Sequence, residues 1–208
     1  MPLSFMNKEQ LISSLRKEGF DEKIINAFDR VKREDFVKDN LKTLAYEDIA
    51  LPISESETIS QPSTIAVALS MLKLKEKQKV LEIGSGCGYV LALIAEIIGK
   101  ESEIYGIEIV KKLAEDSKEN LKNYPKIKIL NINGNKGLLE KSPFDRILIS
   151  AALEEIPKEI LEQLNERGRI VAPVGPGFMQ TLTAIKREDG KFVVVKEVPG
   201  FIFVHFVK

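Results

Sequence analysis

The stretch Val80–Tyr89 reads V-L-E-I-G-S-G-C-G-Y and decides the fold of this 208-residue chain. An apolar, strand-like run with one acidic residue, Glu82, leads into glycines at positions 84, 86 and 88. Because glycine has no Cβ, a ligand can approach the backbone of such a turn closely. The run from 90 to 98 is apolar and helix-forming, so the turn opens a helix with free N–H groups. Strand, glycine turn and helix together form the unit in which α/β folds bind nucleotides.

The spacing of the glycines narrows the class of nucleotide. A dinucleotide fingerprint needs a third glycine three residues after the second, where this chain has Tyr89. A P-loop needs a closing Gly-Lys-Ser/Thr, which is missing, and a loop without Lys or Arg favours a neutral or zwitterionic nucleoside over a triphosphate. The pattern Glu-x-Gly-x-Gly-x-Gly resembles the cofactor loop of S-adenosylmethionine-dependent methyltransferases. The alternative is a glycine-rich turn that serves only tight packing.

Length and charge set the broad class of protein. The length suits one domain, 1–208, with an N-terminal helical and loop region (1–60) and a cofactor-binding core (61–208). The 31 Lys and Arg balance 31 Asp and Glu, so we expect neither a nucleic-acid nor a membrane partner. Apolar runs are too short or too charged to span a bilayer, and residues 1–10 do not read as a signal peptide. We expect a cytoplasmic monomer.

Alternating helix and strand signals predict an α/β fold with a doubly wound, Rossmann-like sheet and an antiparallel edge. Residues 7–17 and a second helix capped by Asp21 predict a helical hairpin outside this sheet. The core elements predicted from the sequence are strands at 80–83, 103–108, 127–132, 146–150 and 170–174, helices at 89–98, 110–121 and 156–164, and β-rich stretches at 181–186, 192–195 and 201–207.

The segment from 33 to 62 shows little periodicity and is predicted to be a long loop. A loop of this length beside a cofactor unit is typical of a lid or a substrate wall, although a plain connector is the alternative. Ser60 and Gln61 precede Pro62, which suits the first turn of a helix. Ser60 could therefore serve only as a helix cap.

Three further side chains have competing interpretations. Glu108 ends the second predicted strand, where an acidic residue can hold both ribose hydroxyls, or it could be a surface glutamate. His205 is the only histidine, and its position in an aromatic, aliphatic run favours packing over catalysis. Cys87, the only cysteine, cannot form an internal disulfide, and one His with one Cys does not make a zinc site.

A series of motifs along the chain resembles protein-L-isoaspartate (D-aspartate) O-methyltransferases. The most specific part is T-I-S-Q-P at 58–62, and the similarity covers about residues 6–206. The other matching stretches are R-E-x-F-V at 33–37, A-Y-x-D at 45–48, A-L-P-I at 50–53, the glycine loop at 80–89, K-G-L at 136–138, P-F-D at 143–145, A-A at 151–152, I-P at 156–157 and P-V-G at 173–175.

The resemblance implies a class I methyltransferase fold and a repair enzyme for damaged proteins and peptides. Such an enzyme transfers a methyl group from S-adenosyl-L-methionine to an isoaspartyl carboxylate and leaves S-adenosyl-L-homocysteine. Ser60 would be the catalytic serine that hydrogen-bonds the substrate. The implied cofactor-binding residues are Glu82, Gly84, Ser85, Gly86, Glu108 and Asn135. The implied substrate-binding residues are Ile53, Ser54, Ser56, Thr58 and Val174.

Three departures from the family pattern bear on this interpretation. Ser54 and Ser56 stand where the family usually has glycine, so positive φ angles become costly there. Glu57 stands where glutamine is frequent, and a carboxylate at 55 or 57 would repel an anionic substrate if it faced the site. Asn135 stands in place of the Asp of a Gly-Asp-Gly turn and keeps only an amide for an adenine edge.

Two other functions remain open from the sequence. A methyltransferase of the same fold could act on RNA or on a small acid. A non-catalytic module could bind the cofactor or a partner without turnover.

Overall fold

The computed structural model describes residues 5–206, and it begins with the predicted helical hairpin. Helices α1 (Lys8–Lys17) and α2 (Glu22–Arg30) are capped by Asn7 and Asp21. The Asn7 side chain accepts from the Gln10 amide at 2.9 Å. Asp21 accepts from the Lys23 amide at 2.8 Å. The apolar faces of both helices are buried, so the predicted hairpin is confirmed.

The segment predicted to be an irregular loop contains short regular elements. Two 3-10 helices, Arg33–Phe36 and Asp39–Leu44, are followed by strands β1 (Leu51–Pro52) and β2 (Thr58–Ile59). These strands pair antiparallel and form a two-stranded hairpin. The prediction of a structureless loop was wrong, because two-residue strands are too short to show any periodicity.

The remaining elements form a seven-stranded sheet with helices on its faces. Its order is β5-β4-β3-β6-β7-β8-β9, parallel from β5 to β7 and antiparallel from β7 to β9. The order of the strands therefore changes direction between β3 and β6. This switch point is where doubly wound sheets bind ligands. The elements are α3 (Pro62–Leu72), β3 (Lys79–Ile83), α4 (Tyr89–Ile98), β4 (Glu103–Ile107), α5 (Lys111–Asn120), β5 (Ile127–Leu130), β6 (Phe144–Ile149), α6 (Lys158–Leu161), β7 (Leu164–Val174), β8 (Gln180–Glu188) and β9 (Lys191–Phe201).

The strands of the C-terminal half are longer than predicted at β7 and β9, while two other predicted elements are shortened or lost. The helix predicted over 156–164 is the single turn α6, because β7 already begins at Leu164 and pairs there with Phe144. The strand predicted over 201–207 is an extended segment with one isolated bridge, from His205 to Ala152. Residue 207 lies outside the described range.

Neighbouring residues of the central strands enter separate apolar layers. Val80 packs into the layer that contains α1 to α4, while Leu81 and Ile83 pack into the layer on the other face. This period of two is the geometry of a strand buried on both faces. Within residues 5–206, no helix is long and apolar enough to cross a bilayer.

Candidate cofactor and substrate site

The glycine turn between β3 and α4 is fixed by backbone geometry. Gly84, Gly86 and Gly88 have φ angles of +82°, +51° and +88°, which side chains rarely tolerate. The amides of Gly84 and Ser85 donate to the Ile107 carbonyl at 2.9 and 3.0 Å, which ties the turn to the end of β4. A Cβ on Gly88 would lie 2.7 Å from Leu121 Cδ1. Only glycine fits this position.

A cleft opens at the carboxyl ends of β3 and β4, which is where doubly wound sheets bind ligands. The cleft brings together five of the predicted site residues: Ile53, Thr58, Gly84, Gly86 and Glu108. Its other lining residues are Glu57, Ile83, Ile107, Ile109, Asn133, Gly134, Ser150, Ala151, Val204, His205 and Phe206.

Glu108 is oriented by two backbone amides. One carboxylate oxygen accepts from the Gly86 N–H and the other from the Val110 N–H, both at 2.8 Å. A carboxylate accepts about four hydrogen bonds, so capacity remains for two hydroxyls of a ligand. Burial raises the pKa of Glu108 above its usual value, and the nearby Glu57 adds to that rise.

Glu82 and Ser85 lie beneath the cleft rather than on its wall. Glu82 is 1% exposed, and its Oε1 accepts from the Ser150 hydroxyl at 2.7 Å. Its Oε2 and the buried Ser85 Oγ have no hydrogen-bond partner among the described residues. Burial raises the pKa of Glu82 to about 8. A cationic group beside Oε2 would satisfy this oxygen and favour the ionised carboxylate.

The turn after β5 places Asn133 and Gly134 on the cleft, while Asn135 lines a neighbouring cavity with Ala152 and Leu153. The buried Asn135 Oδ1 has no hydrogen-bond partner among the described residues. Sequence reasoning did not select Asn133, although its position two residues earlier in the same turn is the available signal. The cofactor role of Asn135 stays a prediction.

Ser60 lies in a groove that joins the cleft. The groove and the cleft share Thr58, Ser150 and Val204. Ser60 is not the cap of α3, because the N-cap is Gln61 and the Ser63 amide donates to Asp48 Oδ1 at 2.8 Å. The capping alternative for Ser60 was therefore wrong. The other groove residues are Ala50, Gln61, Thr64, Gly200, Phe201, Ile202 and Phe203.

A fully buried guanidinium holds the backbone around Ser60. Arg33 donates to the carbonyl oxygens of Ala45 at 2.7 Å, Ser60 at 3.0 Å and Ile49 at 3.1 Å. It is 0% exposed, and burial lowers its pKa. Each of these charge-assisted bonds restrains part of the 45–60 segment. Sequence reasoning gave Arg33 no role, because its partners are carbonyl groups that every residue carries.

The turn that connects β1 and β2 contains the serines that depart from the family pattern. Ser54 Oγ accepts from the Glu57 amide at 3.0 Å. Ser54 and Ser56 are not among the positive-φ residues, so the expected backbone strain does not arise. Glu57 lines the cleft, whereas Glu55 is exposed and lies outside it.

Val174 and Cys87 lie where packing dominates, whereas His205 lies on the cleft. Val174 makes a bridge with Leu153 and lines neither the cleft nor the groove. Cys87 is buried, which raises the pKa of its thiol to about 11 and opposes a nucleophilic role. His205 is exposed and lines the cleft. Local sequence patterns do not predict this position of His205, because the position depends on the bridge to Ala152.

The residues present fit a cationic nucleoside cofactor. The cleft offers bare glycine backbone, the oriented carboxylate of Glu108 and, beneath it, the unpartnered oxygen of Glu82. No Lys or Arg stands among its lining residues. The sheet order and this donor set define a class I S-adenosylmethionine-dependent methyltransferase.

Comparisons with known proteins identify the family. A family model described as Protein-L-isoaspartate(D-aspartate) O-methyltransferase (PCMT) matches residues 6–208. A protein-L-isoaspartate O-methyltransferase from Methanothrix thermoacetophila is 39% identical over 97% of this chain and 95% of its own length. One from Thermosipho melanesiensis is 39% identical over 85% and 90%. The chain belongs to the protein-L-isoaspartate(D-aspartate) O-methyltransferase family.

Solved structures agree with this assignment. A protein-L-isoaspartate O-methyltransferase aligns with a TM-score of 0.87 and 29% identity over 96% of this chain, which spans 65% of that protein. A Plasmodium falciparum relative, solved with S-adenosyl-L-homocysteine, gives 0.86 and 27% over 97% and 99% of the two chains. The predicted family, fold class, enzyme class and S-adenosylmethionine cofactor are confirmed.

Proposed function

We propose that this protein methylates the free carboxylate of L-isoaspartyl and D-aspartyl residues in damaged proteins and peptides. The observation that carries the proposal is the groove at Ser60, which borders the cofactor cleft and shares Thr58, Ser150 and Val204 with it. In adjacent sites of this kind, a carboxylate in the groove would lie near a methyl donor in the cleft. The balanced net charge gives no electrostatic attraction to nucleic acid or to an anionic membrane, and we further propose that the protein acts as a cytoplasmic monomer.

The chemistry asks for alignment rather than for a strong base. S-adenosylmethionine, when bound, supplies a methyl group on a sulfonium sulfur, which is already an activated leaving group. A carboxylate is ionised at neutral pH and needs no deprotonation, which suits a cleft whose only histidine is exposed. The task of the protein is to hold oxygen, methyl carbon and sulfur in line and to exclude water.

Each site residue would contribute to this alignment. Glu108 would hold the ribose hydroxyls, and Gly84 and Gly86 would let the ligand approach their backbone. The Ser60 hydroxyl would donate a hydrogen bond to the substrate carboxylate or to the neighbouring peptide group. Arg33 supports this role, because it fixes the Ser60 carbonyl oxygen from the buried side.

A paired-peptide assay tests the substrate. The protein is incubated with methyl-labelled cofactor and an isoaspartyl peptide, beside the same peptide with a normal aspartyl residue. We expect label only in the isoaspartyl peptide. Equal labelling of the two peptides, or no labelling of either, would contradict the proposal, and labelling of extract RNA or of small acids would favour another acceptor.

A serine variant tests the groove. Loss of one hydrogen bond to a charged group weakens transition-state binding by about 1.5–3 kcal/mol, so Ser60→Ala should lower kcat/KM for the peptide by roughly 10- to 100-fold. Ser70→Ala is the matched control, because Ser70 lies in α3 outside the groove. Unchanged turnover in Ser60→Ala would remove the serine from the mechanism.

A further inference from the structure

Acidic residues line the cofactor cleft, and no Lys or Arg among residues 5–206 lines it. Glu57 and Glu108 both line it, one from the β1–β2 turn and one from the end of β4. Glu82 lies buried below them, and the remaining ionisable lining residue is His205. A concave site lined by one sign of charge concentrates ligands of the opposite sign.

Glu57 is placed in this cleft by its own turn. Its amide donates to Ser54 Oγ, and its carbonyl oxygen accepts from the amides of Ile53 at 2.9 Å and Ser54 at 3.2 Å. Its carboxylate accepts from the Ser56 hydroxyl at 3.2 Å. Glu57 is half-buried and forms no salt bridge among the described residues. Its charge is therefore not neutralised by the protein.

Glu57 and Glu108 are close enough to influence each other. The negative charge of Glu57 contributes to the raised pKa of Glu108, so the two carboxylates share one electrostatic environment. Two neighbouring like charges favour the binding of a cation between them. Glu108 is tied to the Gly86 and Val110 amides, while Glu57 faces the cleft without a backbone donor on its carboxylate.

We propose that Glu57 is a specificity-determining residue that makes the cleft bind the cationic methyl donor more tightly than its neutral product. The inference rests on the proposed methyl transfer and adds a role for this carboxylate in cofactor exchange. When the methyl group moves to the carboxylate oxygen, the sulfur takes the bonding electron pair and the sulfonium becomes an uncharged thioether. The sulfur of the ligand thereby loses its attraction to Glu57. S-adenosylhomocysteine therefore dissociates, and S-adenosylmethionine is bound in preference.

The size of the effect follows from Coulomb's law. Two unit charges about 7 Å apart in a partly hydrated cleft change a binding constant by roughly three- to eightfold. Added salt screens such an interaction, since the Debye length falls from about 10 Å at 0.1 M to about 3 Å at 1 M. The preference for the donor should therefore shrink as the ionic strength rises.

Titration calorimetry with S-adenosylmethionine and S-adenosylhomocysteine tests the inference on the full chain without any peptide. We expect Glu57→Gln to weaken donor binding by about three- to eightfold, to change product binding less than twofold, and to reduce the salt dependence of their ratio. Glu55→Gln is the matched control, because this exposed carboxylate on the same turn lies outside the cleft.

Two results would overturn the role of Glu57. Either the ratio of the two dissociation constants is the same in the wild type and in Glu57→Gln, or Glu55→Gln lowers it equally. Because no acceptor is present, the outcome is independent of the substrate. Failure of the paired-peptide assay with an altered binding ratio would refute the proposed substrate and leave this inference intact.

Discussion

Two turns border the same cleft, and they are held in different ways. The glycine turn at 84–88 uses positive φ angles and donates two amides to the end of the neighbouring strand. The serine turn at 54–57 has no positive φ and is closed by its own backbone and by Ser54 Oγ. Its contact with the glycine turn is apolar, since a Cβ on Gly86 would lie 3.1 Å from Ile53 Cδ1.

The difference separates two properties of the cleft. The glycine turn provides the backbone for cofactor binding, and the serine turn can adjust which ligand is preferred. A turn that only glycine can form is fixed by sterics and can be recognised in any sequence that contains it. A turn held by one side-chain hydrogen bond tolerates other residues, so its chemistry can vary without loss of the fold. Glu57 lies on the second kind of turn, and a charge there can change ligand preference at little cost in stability.

The largest expected effect is on the free energy of unfolding when Arg33 is replaced. This residue holds the 45–60 segment that contains the serine turn. Arg33→Lys keeps the charge but cannot reach the four carbonyl oxygens of Ala45, Glu47, Ile49 and Ser60 together, and it leaves buried acceptors unpaired. We expect a loss of about 3–4 kcal/mol in the free energy of unfolding, measured by urea denaturation. Arg30→Lys, at an exposed site, is the control and should change it by less than about 0.5 kcal/mol. Equal losses would contradict this role of Arg33.

The next effect tests the sterics of the glycine turn. Gly88→Ala combines a strained φ with a Cβ 2.7 Å from Leu121. We therefore expect the free energy of unfolding to fall by about 2–3 kcal/mol. Gly19→Ala, after the end of α1, also has a positive φ, +82°, but its Cβ meets no atom within 4 Å. The control should lose only about 1 kcal/mol. The same melting temperature for both variants would mean that the contact with Leu121 is unimportant.

Stability measured over a pH series tests the buried carboxylate of Glu82, which lies on the strand that leads into the glycine turn. With its pKa raised from 4.5 to about 8, Glu82 keeps a proton in the folded protein that the unfolded chain releases. Stability of the cofactor-free protein therefore falls as pH rises through this window, by about 1–2 kcal/mol between pH 6.5 and 8. Glu82→Gln should remove this part of the slope, and the exposed Glu76→Gln should leave it unchanged. An unchanged slope in Glu82→Gln would show that another group titrates.

The smallest effect concerns the serine turn itself. Ser54→Ala removes the acceptor of the Glu57 amide, and a loss of about 1 kcal/mol in local stability speeds its hydrogen exchange roughly fivefold. Ser56→Ala is the control, because that hydroxyl donates to the Glu57 carboxylate rather than holding its amide. Global stability should stay within about 0.5 kcal/mol in both variants. Equal exchange rates at Glu57 would mean that the backbone alone closes the turn.

The sequence predicted those features whose cause is local. The glycine turn, helix α4 and the acidic residue at the end of β4 each have a signature within a few residues, and the structure places the glycine turn and Glu108 at one cleft. The β1–β2 hairpin has no signature, because strands of two residues show no period. The lining role of His205 was missed because it depends on the pairing of His205 with Ala152, 53 positions earlier in the chain. Long-range pairings of this kind leave no trace in local composition.

That pairing has a consequence for the synthesis of the protein. Val204, His205 and Phe206 follow every other residue of the cleft in chain order, yet they form part of its wall. Their backbone joins Ala152 through the Ala152 amide to the Val204 carbonyl at 2.7 Å and the Phe206 amide to the Ala152 carbonyl at 3.0 Å. A chain grows from its N-terminus, so the sheet can assemble on the ribosome while this side of the cofactor cleft is still missing. A released chain truncated after Phe203 keeps all seven strands and should thus be folded but weak in cofactor binding.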